Sequence, residues 1–447
     1  MKLLAFTLLA GLLLAASRTN AQTPRFEPGE KYNVDLFTGP VLGAGRIVGM
    51  AGAHVALANG IDGAPYNPAG YAERYEKEID WFAWDVTGAL NLSAVFRRND
   101  FDNNGKVTSG TASTIQLAFG LRFQFSYFGY GATWQGRRYE LRDNAGRTFQ
   151  VTLQTVRGGV GYSFLNGGLV AGFAVSTYLL DIGDADGDRA ATFRGFGGEF
   201  GVLIRPANKR YRVGFVARTP VRVSPREDTL FRGGTASDGQ APLTLPAEVR
   251  VPWELSAGVA YQFGERRANT PWRNTRRLRR DFTEQIANGT YAHPDTWGER
   301  AYQALPSHPG KALDTAMAIY RESQRRFRRH QPRRYVLLAA DVIVSGKTDR
   351  GHGLEAFLSQ TPERSGERVS YGARVGVESE IWPDRMKVRA GSYVEPARFR
   401  GSTYRPHGTM GFDVRLFDIW RWSVRGTGTV DLAPRYFNWG IAFGLWW

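Results

Sequence analysis

The chain has 447 residues, a formal net charge of +16 and no cysteine, which excludes a disulfide-stapled fold and anchorage through a lipidated cysteine. A mean hydropathy of -0.36, with no apolar run near ~18 residues beyond the N-terminal stretch, excludes a helical membrane protein. Fifty-three glycines together with 12 Trp, 19 Tyr and 27 Phe instead suit strands that present only every second residue to lipid.

Met1-Lys2, the apolar run at 3–16 and the polar stretch ending in Thr19-Asn20-Ala21 have the three regions of a secretory signal peptide. Residues 1–21 are therefore expected to be removed, leaving a mature chain that starts near Gln22. Residues 22–76 form an N-terminal extension. Within it, Gly43-Ala44-Gly45, Gly49-Met50-Ala51-Gly52-Ala53 and Asp62-Gly63-Ala64-Pro65-Tyr66-Asn67-Pro68-Ala69-Gly70 combine small side chains and tight-turning glycines, which suit a segment packed into a confined space.

From residue 77 onward the hydrophobic period is two. Phe437, Trp439, Ile441, Phe443, Leu445 and Trp447 alternate with Asn438, Gly440, Ala442 and Gly444; Met410, Phe412, Val414 and Leu416 alternate with Asp413 and Arg415; and Tyr371, Ala373, Val375 and Val377 alternate with Arg374 and Glu378. Strands are predicted near 77–97, 111–122, 124–142, 148–164, 168–182, 190–205, 210–223, 248–263, 334–346, 367–381, 386–396, 408–417, 420–431 and 436–447. Fourteen is an even number, as an antiparallel barrel with both ends in the periplasm requires, and tight linkers alternate with long polar ones at 98–110, 224–247, 347–366 and 397–407. The expected fold is all-β: a transmembrane antiparallel barrel over 77–447, in the outer membrane of a Gram-negative envelope, with outer-membrane lipids as its surroundings.

Residues 265–333 break the alternation, since parity puts this long linker on the periplasmic side. They hold fifteen Lys and Arg against seven Asp and Glu, a balance of +8. Leu313, Met317, Tyr320 and Phe327 recur at helical spacing between Lys311 and Arg329, predicting one basic amphipathic helix. Such a helix either packs its stripe under the barrel mouth or meets anionic headgroups or an acidic periplasmic partner. Export and the lack of any nucleic-acid motif exclude nucleic acid as the partner of these cations.

The glycine- and alanine-rich stretch leading to Asn67-Pro68-Ala69 resembles the N-terminal hatch of the outer-membrane long-chain fatty-acid transporter family (FadL type). The resemblance extends to Leu245-Pro246-Ala247, to Trp253-Glu254-Leu255 and the residues that follow, to Leu337-Leu338-Ala339-Ala340-Asp341-Val342 and to Arg389-Ala390-Gly391-Ser392-Tyr393. It implies fourteen strands, a hatch in the lumen, and passage of hydrophobic small molecules captured at an outer apolar groove. It further implies lateral release beside the hatch through a kinked third strand. On this chain that strand holds Phe128-Gly129-Tyr130-Gly131, whose glycines permit a kink or bulge.

On this reading the gating residues are Gly49, Gly52, Asn67, Pro68 and Ala69, and the lateral opening lies at Gly129 and Gly131. Asp100-Phe101-Asp102-Asn103-Asn104-Gly105 opens like a calcium loop, but Thr111 stands where the closing Glu belongs. A solvated hairpin is favoured there, with a weak calcium site at Asp100, Asp102 and Asn104 as the competing reading. Asp184-Ala185-Asp186-Gly187-Asp188 is read in the same way. The lumen charges Glu254, Arg374, Glu378, Arg389, Asp413, Arg415 and Arg425 are expected to pair across the interior. None of the six histidines has metal-ligand spacing or a serine partner, so neither catalysis, a metal nor a cofactor is expected. The alternative function is a structural or secretion/motility-complex barrel that docks periplasmic partners through 265–333.

Overall fold

The structure is a computed structural model that describes residues 31–37, 39–74, 81–93, 100–105, 114–142, 148–183, 189–224, 246–266, 268–269, 275–288, 309–329, 334–419 and 422–446. The expected signal peptide, the terminal Trp447, Thr111 and the acidic loop at 184–188 lie outside these residues.

Fourteen strands close into a barrel. They are β1 (Phe82–Ser93), β2 (Thr114–Phe125), β3 (Phe128–Arg142), β4 (Thr148–Phe164), β5 (Leu169–Gly183), β6 (Arg189–Ile204) and β7 (Tyr211–Arg218), followed by β8 (Glu254–Gly264), β9 (Tyr335–Ser345), β10 (Ser370–Trp382), β11 (Met386–Glu395), β12 (Arg405–Ile419), β13 (Trp422–Ala433) and β14 (Tyr436–Leu445). Each pairs antiparallel with the next, and β14 closes on β1 from Asn438 opposite Ser93 to Gly444 opposite Thr87. Alternation sets the two faces. Phe173, Phe196, Phe200, Phe215, Val259, Val342, Tyr371, Met410 and Phe443 are exposed on the outside, whereas Gln116, Arg122, Glu199, Asp341, Glu378 and Asp413 are buried inside. An apolar exterior over a polar, filled interior is the solution a barrel needs in lipid, where closure leaves no unpaired strand edge. It places the chain in the outer membrane. No described helix is long and apolar enough to cross a membrane.

The seventh and eighth predicted strands are each shorter than expected. Pro220 ends β7 and Pro252 precedes β8, because proline cannot donate to the ladder. The chain between them turns away to contribute Val221–Val223 and Glu248–Val251 to a second, four-stranded sheet. The centre of that sheet includes Asn33–Asp35, which pairs in parallel with both Glu248–Val251 and Gly351–His352. Residues 31–37 thus belong to a cap at the outer mouth, apart from the hatch that follows. The linker at 347–366 is not simply polar as expected: it folds a short helix, Leu354–Leu358, whose Leu354, Phe357 and Leu358 join Tyr32, Val34, Val151, Leu180 and Ile182 in one buried cluster.

At the periplasmic end, the described residues of 265–333 include two helices, α1 (Thr275–Ala287) and α2 (Pro309–Arg329). The predicted stripe does not pack under the barrel mouth. Leu313, Met317 and Tyr320 meet Leu278, Phe282 and Ile286 of α1, a helix whose short stripe the sequence pattern alone had not revealed. The side chain of Phe327 lies outside the description.

Candidate functional site

Residues 39–74 run through the lumen from the outer cap to the start of the wall. Their small side chains are almost all buried, and Ala53, Ala56, Ala58 and Ala69 are fully so. At the centre is Asn67. Its Nδ2 donates to the carbonyl of Val55 at 2.8 Å and to that of Val202 in β6 at 3.1 Å, while its Oδ1 accepts from Ala69 N at 3.0 Å. One amide therefore caps the 3₁₀ turn Pro68–Tyr71, ties two parts of the hatch together and fastens both to the wall. Pro68 supplies the fixed φ that such a turn needs at its first position.

The wall is shaped to receive this turn. A Cβ on Gly201 would stand 2.1 Å from Asn67 Oδ1, one on Gly172 2.1 Å from the Pro68 carbonyl oxygen, and one on Gly129 1.8 Å from the Tyr71 carbonyl oxygen. One on Gly131 would stand 2.5 Å from the Leu121 carbonyl oxygen of β2 and 3.2 Å from the Tyr71 ring. The two glycines singled out in the third strand therefore cradle the hatch, and β3 itself is continuous. Its pairing with β2 and with β4 runs without a register shift, including Gly129 opposite Gly161 and Gly131 opposite Gly159. The kink expected in the third strand is absent, and the wall beside the hatch is unbroken there. Gly49 meets Gly411 of β12 nearly backbone to backbone, and Gly52 takes a φ of +73° that a side chain would strain.

Polar wall residues bind the hatch backbone. Asp341 accepts from His54 N and Val55 N at 2.7 and 3.0 Å, Asp85 accepts from Ile61 N at 3.0 Å, Gln124 donates to Ala72 O at 2.8 Å, and Arg218 donates to Pro65 O at 2.7 Å. The fully buried Arg122 donates to Gly70 O and Glu73 O. Apart from Asp341, which was noted only as part of a family segment, sequence reasoning passed over these anchors. Their signal is a polar residue at an inward position of the alternation, as Arg122 is between Leu121 and Phe123.

The expected pairing of lumen charges is seen, with a hatch residue at each end. Arg46 holds Glu378 at 2.8 and 3.0 Å; Glu378 accepts from Arg389 at 2.6 Å; Arg389 grips Asp413 at 2.7 and 2.6 Å; and Arg425 links Asp413 to Asp62 of the hatch. Glu254 pairs with Arg218. Arg374 lies over the Tyr66 ring at 5.6 Å. Arg374 therefore departs from the expected pairing, and so does Arg415, which leaves the lumen set and pairs with Asp384 and Asp418 at the periplasmic rim, where β12 is bulged. His54 sits within the hatch with neither ring nitrogen hydrogen-bonded. Burial holds its imidazole well below the usual histidine range, so it is neutral.

The loop at 100–105 is tied by hydrogen bonds of its own. Asp100 accepts from Asn104 N and Gly105 N, each at 3.0 Å, and Asn104 Nδ2 donates to Glu355 at 2.9 Å. Burial, and then the Glu355 and Asp100 carboxylates, push the Asp102 carboxyl well above its usual range. Among the described residues no group of three or more His, Cys, Asp or Glu is arranged to hold a metal.

The hatch divides two cavities. Above it, one of about 180 Å³ is bounded by Leu36, Phe37, Leu42, Pro65, Leu153 and Val251 on its apolar sides and by Arg137, Arg157, Arg218 and Arg374 on its polar sides. Below it, one of about 90 Å³ is strongly cationic, with Arg46, Arg74, Arg210, Arg212, Arg266 and Lys387 in its lining.

No family model matches the chain, and no curated protein matches it. Among solved structures, the CymD monoaromatic hydrocarbon channel is similar at a TM-score of 0.51 with 11% identity, covering 91% of this chain and 96% of that one. A Pseudomonas aeruginosa FadL homologue and the Ralstonia pickettii toluene transporter TbuX align at TM-scores of 0.48 and 0.49 with 12% and 11% identity, covering 92% and 91% of this chain and 98% of each of theirs. The first of these likenesses shows that the hatched fourteen-strand fold is shared.

Proposed function

We propose that this outer-membrane barrel is a channel, with no catalytic role, that admits hydrophobic compounds bearing an anionic head, long-chain fatty acids being the type. The reading rests on the cavity above the hatch, where an apolar side formed by Leu36, Phe37, Leu153 and Val251 faces Arg374, which has no carboxylate partner among the described residues, beside Arg157 and Arg218, which share Glu199 and Glu254. An amphiphile places its chain against the first set and its carboxylate toward the second, a fit that a purely aqueous pore would not favour. The shared fold with a channel for monoaromatic hydrocarbons supports the hydrophobic class.

Release follows when the turn Pro68–Tyr71 lifts off Gly129, Gly172 and Gly201. That movement empties the cradle beside β3, and the lateral way into the outer leaflet then opens only where the pairing of β3 with a neighbouring strand also parts. Uptake of radiolabelled oleate by cells lacking their own fatty-acid channel tests the proposal. Asn67→Ala combined with Pro68→Ala is expected to lower that uptake several-fold with unchanged barrel levels in the outer membrane. Unchanged uptake in the double variant, or equal uptake of oleate and an uncharged sugar by the wild type, overturns it.

A further inference from the structure

The α1 helix carries Arg276, Arg277, Arg279 and Arg280, all exposed, and no acidic residue in its first turn. The helix dipole disfavours cations at this end. Packing against α2 uses Leu278 and Phe282 instead. Neither the helix dipole nor the hairpin core calls for arginines at this end, so their placement is set by what lies around them.

Their position indicates what that is. The Arg276 guanidinium lies 4.1 Å over the ring of Trp81, the residue just before β1. Trp81 packs on Phe125 at 5.4 Å, and Phe125 in turn on Phe82 and Tyr130. Phe82, Phe128 and Tyr130 are exposed on the outer face of the wall, forming the aromatic girdle that marks headgroup depth at the periplasmic end. Asp281 and Glu284 follow further along α1, so positive charge is concentrated at the girdle end. Arg279 faces Asp314 of α2 at 3.4 Å, and Arg276, Arg277 and Arg280 are exposed at the girdle end of the helix.

We propose that the first turns of α1 bind the anionic phospholipid headgroups of the periplasmic leaflet, with Arg276, Arg277 and Arg280 meeting their phosphates. Girdle depth favours lipid over a periplasmic protein, which would have to reach among the headgroups to touch Arg276. The inference is independent of what the channel carries.

Hydrogen exchange of residues 275–288, measured on the full-length protein in nanodiscs of phosphatidylcholine with or without phosphatidylglycerol, tests it. Phosphatidylglycerol is expected to slow exchange of α1, and high salt is expected to reverse the effect by screening. At about fivefold in affinity per arginine near an anionic surface, replacing Arg276, Arg277 and Arg280 by Gln removes on the order of 100-fold and abolishes the lipid-specific protection. Replacing them by Lys retains most of it. Unchanged exchange at Ala316, Met317 and Tyr320 verifies that the Gln variant keeps its hairpin core; if that core loosens, the Lys variant and the salt titration decide. Equal exchange in the two lipids, protection that survives the Gln substitutions with the core intact, or protection conferred by soluble polyglutamate and not by phosphatidylglycerol overturns the proposal.

Discussion

The hatch and the periplasmic hairpin solve opposite problems with opposite residues. Residues 39–74 hold small, nearly uncharged side chains and have little core of their own. They keep their shape because wall groups such as Asp341, Asp85, Arg122 and Gln124 satisfy their backbone. The hairpin is densely charged and exposed, yet it carries its own apolar contacts between α1 and α2. A segment built of Gly and Ala inherits its conformation from its surroundings, whereas an amphipathic pair needs only itself. The hatch should therefore be sensitive to changes in the wall, and the barrel should be indifferent to the hairpin.

The most disruptive test is Gly172→Val. Its added carbons collide with the Pro68 carbonyl, at a cost of roughly 3 kcal/mol. The turn is expected to leave its seat while the wall stays closed, and ion conductance in planar bilayers should rise; a silent channel would show that the cradle yields instead. Asn67→Ala comes next. It leaves the carbonyls of Val55 and Val202 without a donor, an effect of about 2 kcal/mol that should appear as faster hydrogen exchange over 53–72.

A smaller, pH-dependent effect is expected at His54. Its folded form resists protonation, so the unfolded hatch takes up the proton more readily. The stability this group contributes is present above the ordinary imidazole value of 6.5 and is lost as pH falls below it. Exchange over residues 43–58 should quicken between neutral and mildly acidic pH in the wild type, and His54→Leu should flatten that response. Smallest of all is replacement of residues 275–329 by a short Gly-Ser linker, which keeps Arg266 on Glu380 and Asn269 on the Pro206 and Tyr211 carbonyls. The barrel's unfolding free energy is expected to change by less than about 1 kcal/mol and oleate uptake to persist. Lost uptake would make the hairpin part of the channel and erase the contrast.

Strand number, parity and the inward or outward face of most residues were legible in the sequence because they rest on a period-two alternation that each strand carries locally. So was α2, whose apolar stripe spans several turns, while α1 was missed because Leu278, Phe282 and Ile286 sit among arginines. Asn67, Pro68 and Ala69 were recognised through a motif, but their role was not legible. Only closure of the wall brings Val202, Gly172 and Gly201 to meet them across more than a hundred residues of chain. For the same reason Gly129 and Gly131 read as a kink in isolation and as a cradle in the fold. A glycine records that something comes close, and strand register decides what. The cap was likewise a tertiary outcome: Asn33–Asp35 is too short to announce a strand, and it becomes one because Pro220 and Pro252 turn two wall strands aside and give it an edge to pair with.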